Sequence, residues 1–168
     1  MTLFGPKSLS EILHYITKTI GMVLLLLFAY VGISFLTHNH SVEGGRYAIP
    51  FFGSAIEGAY HVKTMLTVCL TLLFLAATAL SLASIFNALR VSPIFTPRFV
   101  KSLQQFTVLM GILGPVLYLV VTFGIMQRGH FANAHNLILT LLFGAMGFFL
   151  THICKKGMQV QQENDLTI

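Results

Sequence analysis

The sequence predicts an all-α fold: an integral membrane four-helix bundle with both termini in the cytoplasm (N-in/C-in). Three observations carry that expectation. First, no charged side chain lies between Lys18 and His38, from Thr64 to Leu89, or from Ser102 to Gln127, and a fourth run, Phe131 to Ile153, is interrupted only by His135 and His152. A helix needs roughly 20 apolar residues to cross the hydrocarbon core of a bilayer, so each run is long enough. Second, 55% of the residues are hydrophobic and 9% are charged, against about 25% charged in soluble domains. Third, Lys and Arg are distributed unevenly. Lys7, Lys18, Arg90, Arg98, Lys101, Lys155 and Lys156 fall in the N-terminus, second loop and C-terminus, whereas Arg46, Lys63 and Arg128 fall in the first and third loops. The positive-inside rule then places both termini in the cytoplasm.

One transmembrane domain, 1–168, accounts for the chain, with spans at about 19–37, 63–89, 103–127 and 131–153, a cytoplasmic loop at 90–102 and a cytoplasmic tail at 155–168. Residues 1–18 read either as a short interfacial helix capped by Ser8 or Ser10 or as a plain lead-in to the first span. The segment His38 to Val62 contains Gly44, Gly45, Pro50 and Gly53, which oppose regular structure, so an irregular outer loop is expected. Its Tyr47, Ile49, Phe51 and Phe52 suit the membrane interface or a cover over the outer mouth of the bundle.

In the second span, Ala77 and Ser81, and Ala79 and Ala83, are four apart and let another backbone approach closely; Gly111, Gly114, Gly144 and Gly147 serve the same end in the third and fourth. Those small-residue faces also admit a homodimer. Thr96 followed by Pro97 is a helix-start signal, with a hydroxyl for an orphan N–H and a ring pre-set for the first helical position. Pro115 removes a backbone donor in mid-span and predicts a kink. Only Arg128 and Gly129 separate the last two runs, which predicts a tight hairpin. Cys69 and Cys154 fall in different spans and read as packing residues, not as a disulfide.

Two segments carry a family resemblance. The loop Ile94-Phe95-Thr96-Pro97-Arg98-Phe99-Val100-Lys101-Ser102-Leu103 and the ending Gly157 to Ile168, with Glu163, Asp165, Leu166, Thr167 and Ile168 in its motif, are similar to the loop and terminal signatures of domain-of-unknown-function family 2975. Phe99 and Gln105 depart from that pattern, standing where charge is common, and the outer loop is short for the family. The resemblance implies a small bacterial inner-membrane protein of four spans without assigned activity. It also implies a partnership with a small helix-turn-helix regulator, whose docking residues here would be Phe95, Thr96, Pro97, Arg98, Lys101, Glu163, Asp165 and Leu166.

The remaining chemistry is sparse. His38, His40, His61, His130 and His135 fall on the predicted outer side, with Glu57 four before His61. They read as interfacial polar residues bonded to loop backbone; the alternative is a Zn²⁺ or Cu²⁺ site drawn from these residues, or haem b held between His61 and His135. His135, a polar residue within a span, is expected to face the bundle. The five carboxylates form no acid/base pair, and there is no phosphate loop or paired nucleophile, so enzymatic activity is not expected. The net charge of +5 lacks the basic-aromatic pattern of a nucleic-acid binder and reads as anchoring to the lipid bilayer. A non-enzymatic sensor or anchor is the leading expectation.

Overall fold

The computed structural model describes residues 8–90 and 96–165, and the side chains of 8–90 and 96–163. Four long apolar helices appear, as the charge-free runs require: α1 (Leu9–Leu36), α2 (Val62–Ala88), α3 (Pro97–Ile125) and α4 (Ala134–Asp165). Between 17% and 22% of the most apolar stretch of each is buried, so the remaining apolar surface faces outward. Leu26, Leu36 and Phe149 are 68%, 82% and 67% exposed. So much outward apolar surface is tolerable only in lipid, and the protein is a multi-pass membrane protein.

The bundle is built of antiparallel neighbours. α1 packs along α2, where Gly21 lets the Leu80 side chain lie against its backbone. At the end of that pair, Arg90 Nη2 donates to Glu11 Oε1 at 2.6 Å and the guanidinium lies over the Tyr15 ring. One turn further in, His14 Nδ1–H donates to the Ala83 carbonyl at 2.8 Å. α1 is a single helix from Leu9 with Ser8 at its N-cap, so the separate interfacial helix is not seen. Ala79 and Ala83 are buried on α2, as their spacing predicted.

Thr96 caps α3, its Oγ1 accepting from the Phe99 N–H at 3.2 Å, with Pro97 in the first turn. The first turns of α3 then bury Phe99, Val100, Leu103 and Phe106 against Ile85 and Ala88 of α2 and Cys154 of α4. The starts of α1 and α3 therefore share one end of the bundle with the finishes of α2 and α4. Pro115 does not break α3. It lacks the N–H that would close on the Gly111 carbonyl, and the preceding turn, Leu109–Leu113, widens into π-helical geometry. A second π-helical turn, Val120–Ile125, finishes the helix.

Two expectations require correction. The segment after α1 is not irregular, and the fold is not purely helical. β1 (Ser41–Glu43), β2 (Arg46–Phe51) and β3 (Ser54–Ala59) form an antiparallel sheet in that order. Gly44 and Gly45, at φ 57° and 75°, make the two-residue turn that pairs Glu43 with Arg46. The glycines read as breakers are thus the turn residues of hairpins. Pro50 is accommodated because β1 pairs only with Arg46 to Ala48, so no partner strand faces its missing N–H. Its carbonyl accepts the Tyr30 hydroxyl of α1. Tyr47 and Ile49 are buried against Leu27, Val31 and Phe35 of α1 and Met65, Val68 and Leu72 of α2.

The last connection also departs from expectation. α3 ends at Ile125 and α4 begins at Ala134, so Met126 to Asn133 form a longer link than the expected Arg128-Gly129 hairpin. The predicted tail is likewise a continuation of α4 through Asp165.

Candidate functional site

The tight packing at the end formed by Phe99, Leu103 and Phe106 does not continue along the bundle. Toward the sheet end, α2 and α4 part over the face of α3, leaving a cleft. Its deeper chamber, about 440 Å³, is lined by Phe74, Leu75 and Thr78 of α2, Met110, Gly114 and Leu117 of α3, and Leu139, Thr140 and Phe143 of α4. A neck of about 180 Å³ leads outward between Thr67 and Thr71 of α2, Tyr118 and Thr122 of α3, Asn136 of α4, and Arg128 and Asn133 of the last connection. Thr71, Tyr118, Val121 and Asn136 line both, so chamber and neck adjoin.

The local sequence explains this shape. Gly114 lets Thr140 and Phe74 pack directly against the α3 backbone at the floor, where a Cβ would lie 2.9 Å from Thr140 Cγ2 and 3.2 Å from the Phe74 ring. The π-helical turns of α3 contribute Met110 to the chamber and Val121 and Thr122 to the neck. Such turns widen the helix and frequently occur at functional sites. The Tyr118 hydroxyl donates to the Ala132 carbonyl at 2.7 Å, and the Arg128 N–H donates to the Thr122 carbonyl at 3.0 Å, fixing the link over the neck.

Within the neck, Thr67 and Tyr118 are hydrogen-bonded, but several other polar groups differ from the satisfied threonines of these helices. Thr67, Thr78, Thr107 and Thr151 each donate back to the carbonyl four residues earlier, the usual way a threonine is satisfied in a span. Thr71, Thr122, Asn133, Asn136 and Arg128 make no side-chain hydrogen bond among the described residues. Thr71 lies eight residues along α2 from Lys63, about 12 Å at 1.5 Å per residue. Lys63 Nζ donates to Gln127 Oε1 at 2.6 Å and brings a second cation beside the Arg128 turn.

The residues singled out in the sequence lie elsewhere. His38 and His40 are brought together, ring centroids 6.0 Å apart, with the His40 ring also beside Phe35 and Tyr60 and its Nδ1–H directed to the Ser34 carbonyl at 3.3 Å. His61 is the N-cap of α2. His130 lies in the last connection, and His135, in the first turn of α4, is exposed instead of facing the bundle. Glu57 is exposed on β3. Among the described residues, no three His, Cys, Asp or Glu side chains come together as a metal would require.

Of the expected docking residues, Thr96 caps α3, and Pro97, Arg98 and Lys101 lie exposed on its first turns. Glu163 is exposed near the end of α4. Phe95, Leu166 and the side chain of Asp165 lie outside the described residues.

The cleft escaped sequence reading because its polar groups lie in three different spans, Thr71 and Thr122 each between apolar neighbours. The available signal was the presence of Thr71, Thr122 and Asn136 inside spans at all. The chain matches no protein-family model, no curated protein and no solved structure.

Proposed function

We propose that this is a non-enzymatic sensor or anchor of the bacterial inner membrane, with both termini cytoplasmic, that binds a small helix-turn-helix regulator at its cytoplasmic end. In this reading it is a member of domain-of-unknown-function family 2975. The observation that carries it is the overhang at the end of the bundle opposite the sheet. α4 has 32 residues, about 48 Å of helix against a hydrocarbon core of about 30 Å. Some 18 Å therefore projects beyond the core, carrying exposed Lys155, Lys156, Gln159, Gln162 and Glu163. Beside it, the first turns of α3 expose Arg98, Lys101, Gln104 and Gln105 while their apolar side is buried in the bundle. Two adjacent rigid helices with polar outward faces supply a docking platform, and the positive-inside rule puts it in the cytoplasm.

The test is affinity capture from solubilised membranes with the full chain and with a chain lacking Glu163 to Ile168. A helix-turn-helix protein retained by the first and lost by the second supports the reading; identical capture profiles contradict it. Of the haem or metal alternative, the haem pair His61 and His135 is not brought together, and the metal reading keeps His38 and His40, whose rings lie side by side. A Soret band that His61→Ala and His135→Ala remove, or stoichiometric metal that His38→Ala and His40→Ala remove, would favour it, and a colourless, metal-free preparation would end it.

A further inference from the structure

We infer that the cleft between α2, α3 and α4 binds a single-chain amphiphile with a compact anionic head, a long-chain fatty acid carboxylate. The inference rests on the sensor reading and deepens it by naming the class of ligand sensed.

The shape and the chemistry of the cleft agree on this class. The chamber is a groove open to the bundle's exterior, with Leu75, Leu139 and Phe143 exposed on its rim and Phe74 and Leu117 deeper, an apolar lining that suits one aliphatic chain. The neck is smaller, at about 180 Å³, and accepts a small head in preference to a glycerophosphate. Thr71, Thr122 and Asn136 bring hydrogen-bond donors into it that no protein group satisfies among the described residues. Thr122 is buried on α3 while Thr71 and Asn136 are exposed at the rim, and in lipid a polar side chain is costly unless it finds a partner, so three unmatched polar groups bordering one space form a recognition element. The Arg128 guanidinium stands at the outer mouth without a carboxylate partner among the described residues, and Lys63 lies beside it through Gln127. No acidic residue lines the neck or the chamber. Positive charge at the mouth, donors in the throat and an apolar interior match the carboxylate and tail of a fatty acid in that order, and a charge-assisted contact to arginine is the strong kind of hydrogen bond.

The experiment titrates isotope-labelled palmitate into the full chain in phosphatidylcholine nanodiscs, with protein-free nanodiscs as the partition blank. The expected result is saturable binding of one palmitate per chain. Arg128→Gln, in an exposed turn, should weaken it by about tenfold, the loss of one charge-assisted contact. Leu139→Trp, which fills the chamber from its exposed rim, should remove saturable binding while leaving the helical circular dichroism unchanged; if that variant misfolds, the Arg128→Gln comparison decides alone. Hexadecanol should compete at least tenfold less well than palmitate. Binding no greater than the blank, or unchanged by Arg128→Gln, overturns the inference, as does equal competition by hexadecanol. Displacement by phosphatidylglycerol at the same concentration as palmitate also overturns it, in favour of a two-chain lipid. The assay contains no regulator, so it can fail while the docking reading survives, and it can succeed while regulator capture fails.

Discussion

The closest approach between helices makes an asymmetric prediction. Gly111 of α3 and Gly144 of α4 face each other, yet their absent Cβ atoms point into different surroundings. A Cβ built on Gly144 falls 2.7 Å from the Gly111 backbone nitrogen and 3.3 Å from the Met110 carbonyl carbon, whereas one built on Gly111 meets the Gly144 Cα at 3.4 Å. Optimal contact between such atoms is about 3.5–4.0 Å, so Gly144→Ala must push the helices apart by about 1 Å, with backbone on both sides and no flexible side chain to yield. Overpacking of this kind costs about 1–3 kcal/mol, against roughly 1 kcal/mol gained by replacing a helical glycine. The net expectation is that Gly144→Ala destabilises by up to about 2 kcal/mol, while Gly111→Ala is neutral or stabilising by up to about 1 kcal/mol. Unfolding in mixed dodecylmaltoside and SDS micelles, followed by circular dichroism, measures both. Equal effects from the two substitutions, or greater loss at Gly111, would refute the packing assigned to α3 and α4.

Further outcomes follow from other contacts. Thr96→Ala removes the cap on the Phe99 N–H and should cost about 1 kcal/mol in the same assay, with Thr96→Ser restoring most of it. Gly58→Ala would place a Cβ 2.6 Å from the Tyr47 hydroxyl oxygen and displace the buried ring, so it should destabilise the sheet by about 1–3 kcal/mol. Adding Tyr47→Leu should recover part of that loss, and no recovery would argue against the contact. Burial raises the Tyr47 hydroxyl above its ordinary value of 10.0, because the folded site favours the neutral form. Its contribution is thus complete below about pH 10 and is lost as pH rises through the higher folded value. Comparing wild type with Tyr47→Phe between pH 8 and pH 11 checks this: only the wild type should weaken at the alkaline end, and parallel curves would contradict it.

The helical part of the fold was legible because its cause is one-dimensional. A charge-free run long enough to cross a bilayer declares itself without reference to any other segment, and so does the Thr96-Pro97 start of α3. The sheet was also written in the chain. Glu43-Gly44-Gly45-Arg46 is a two-residue hairpin turn, and Tyr47, Ile49 and Phe51 alternate as a half-buried strand requires. Glycine opposes a continuous helix or strand, yet a positive φ at two successive positions is what a tight hairpin needs. The second turn was harder to foresee. Phe52 adopts φ 41° at the tip of the second hairpin, an unfavourable place for a bulky side chain, and it is 97% exposed beside α1.

The cleft was not legible, and the reason is geometric. Thr71, Thr122 and Asn136 converge only because α3 widens twice and α4 packs on α3 while leaving α2 uncovered toward the sheet end. No spacing within one segment encodes that convergence. The histidines drew notice as clustered potential ligands in sequence, yet only His38 and His40 come together. Clustering along the chain is a weak guide where the residues belong to separate elements.

The central claim is that lipid surrounds these helices and that the two termini share one face of the membrane. Labelling single cysteines with a membrane-impermeant maleimide tests it most directly, in a Cys69→Ala, Cys154→Ala background with Lys18→Cys, Arg128→Cys or Lys156→Cys. The account predicts that intact cells label the Arg128→Cys chain alone and that inverted vesicles label the other two. Labelling of Lys18→Cys and Lys156→Cys from opposite faces, or of all three from one face, would contradict it.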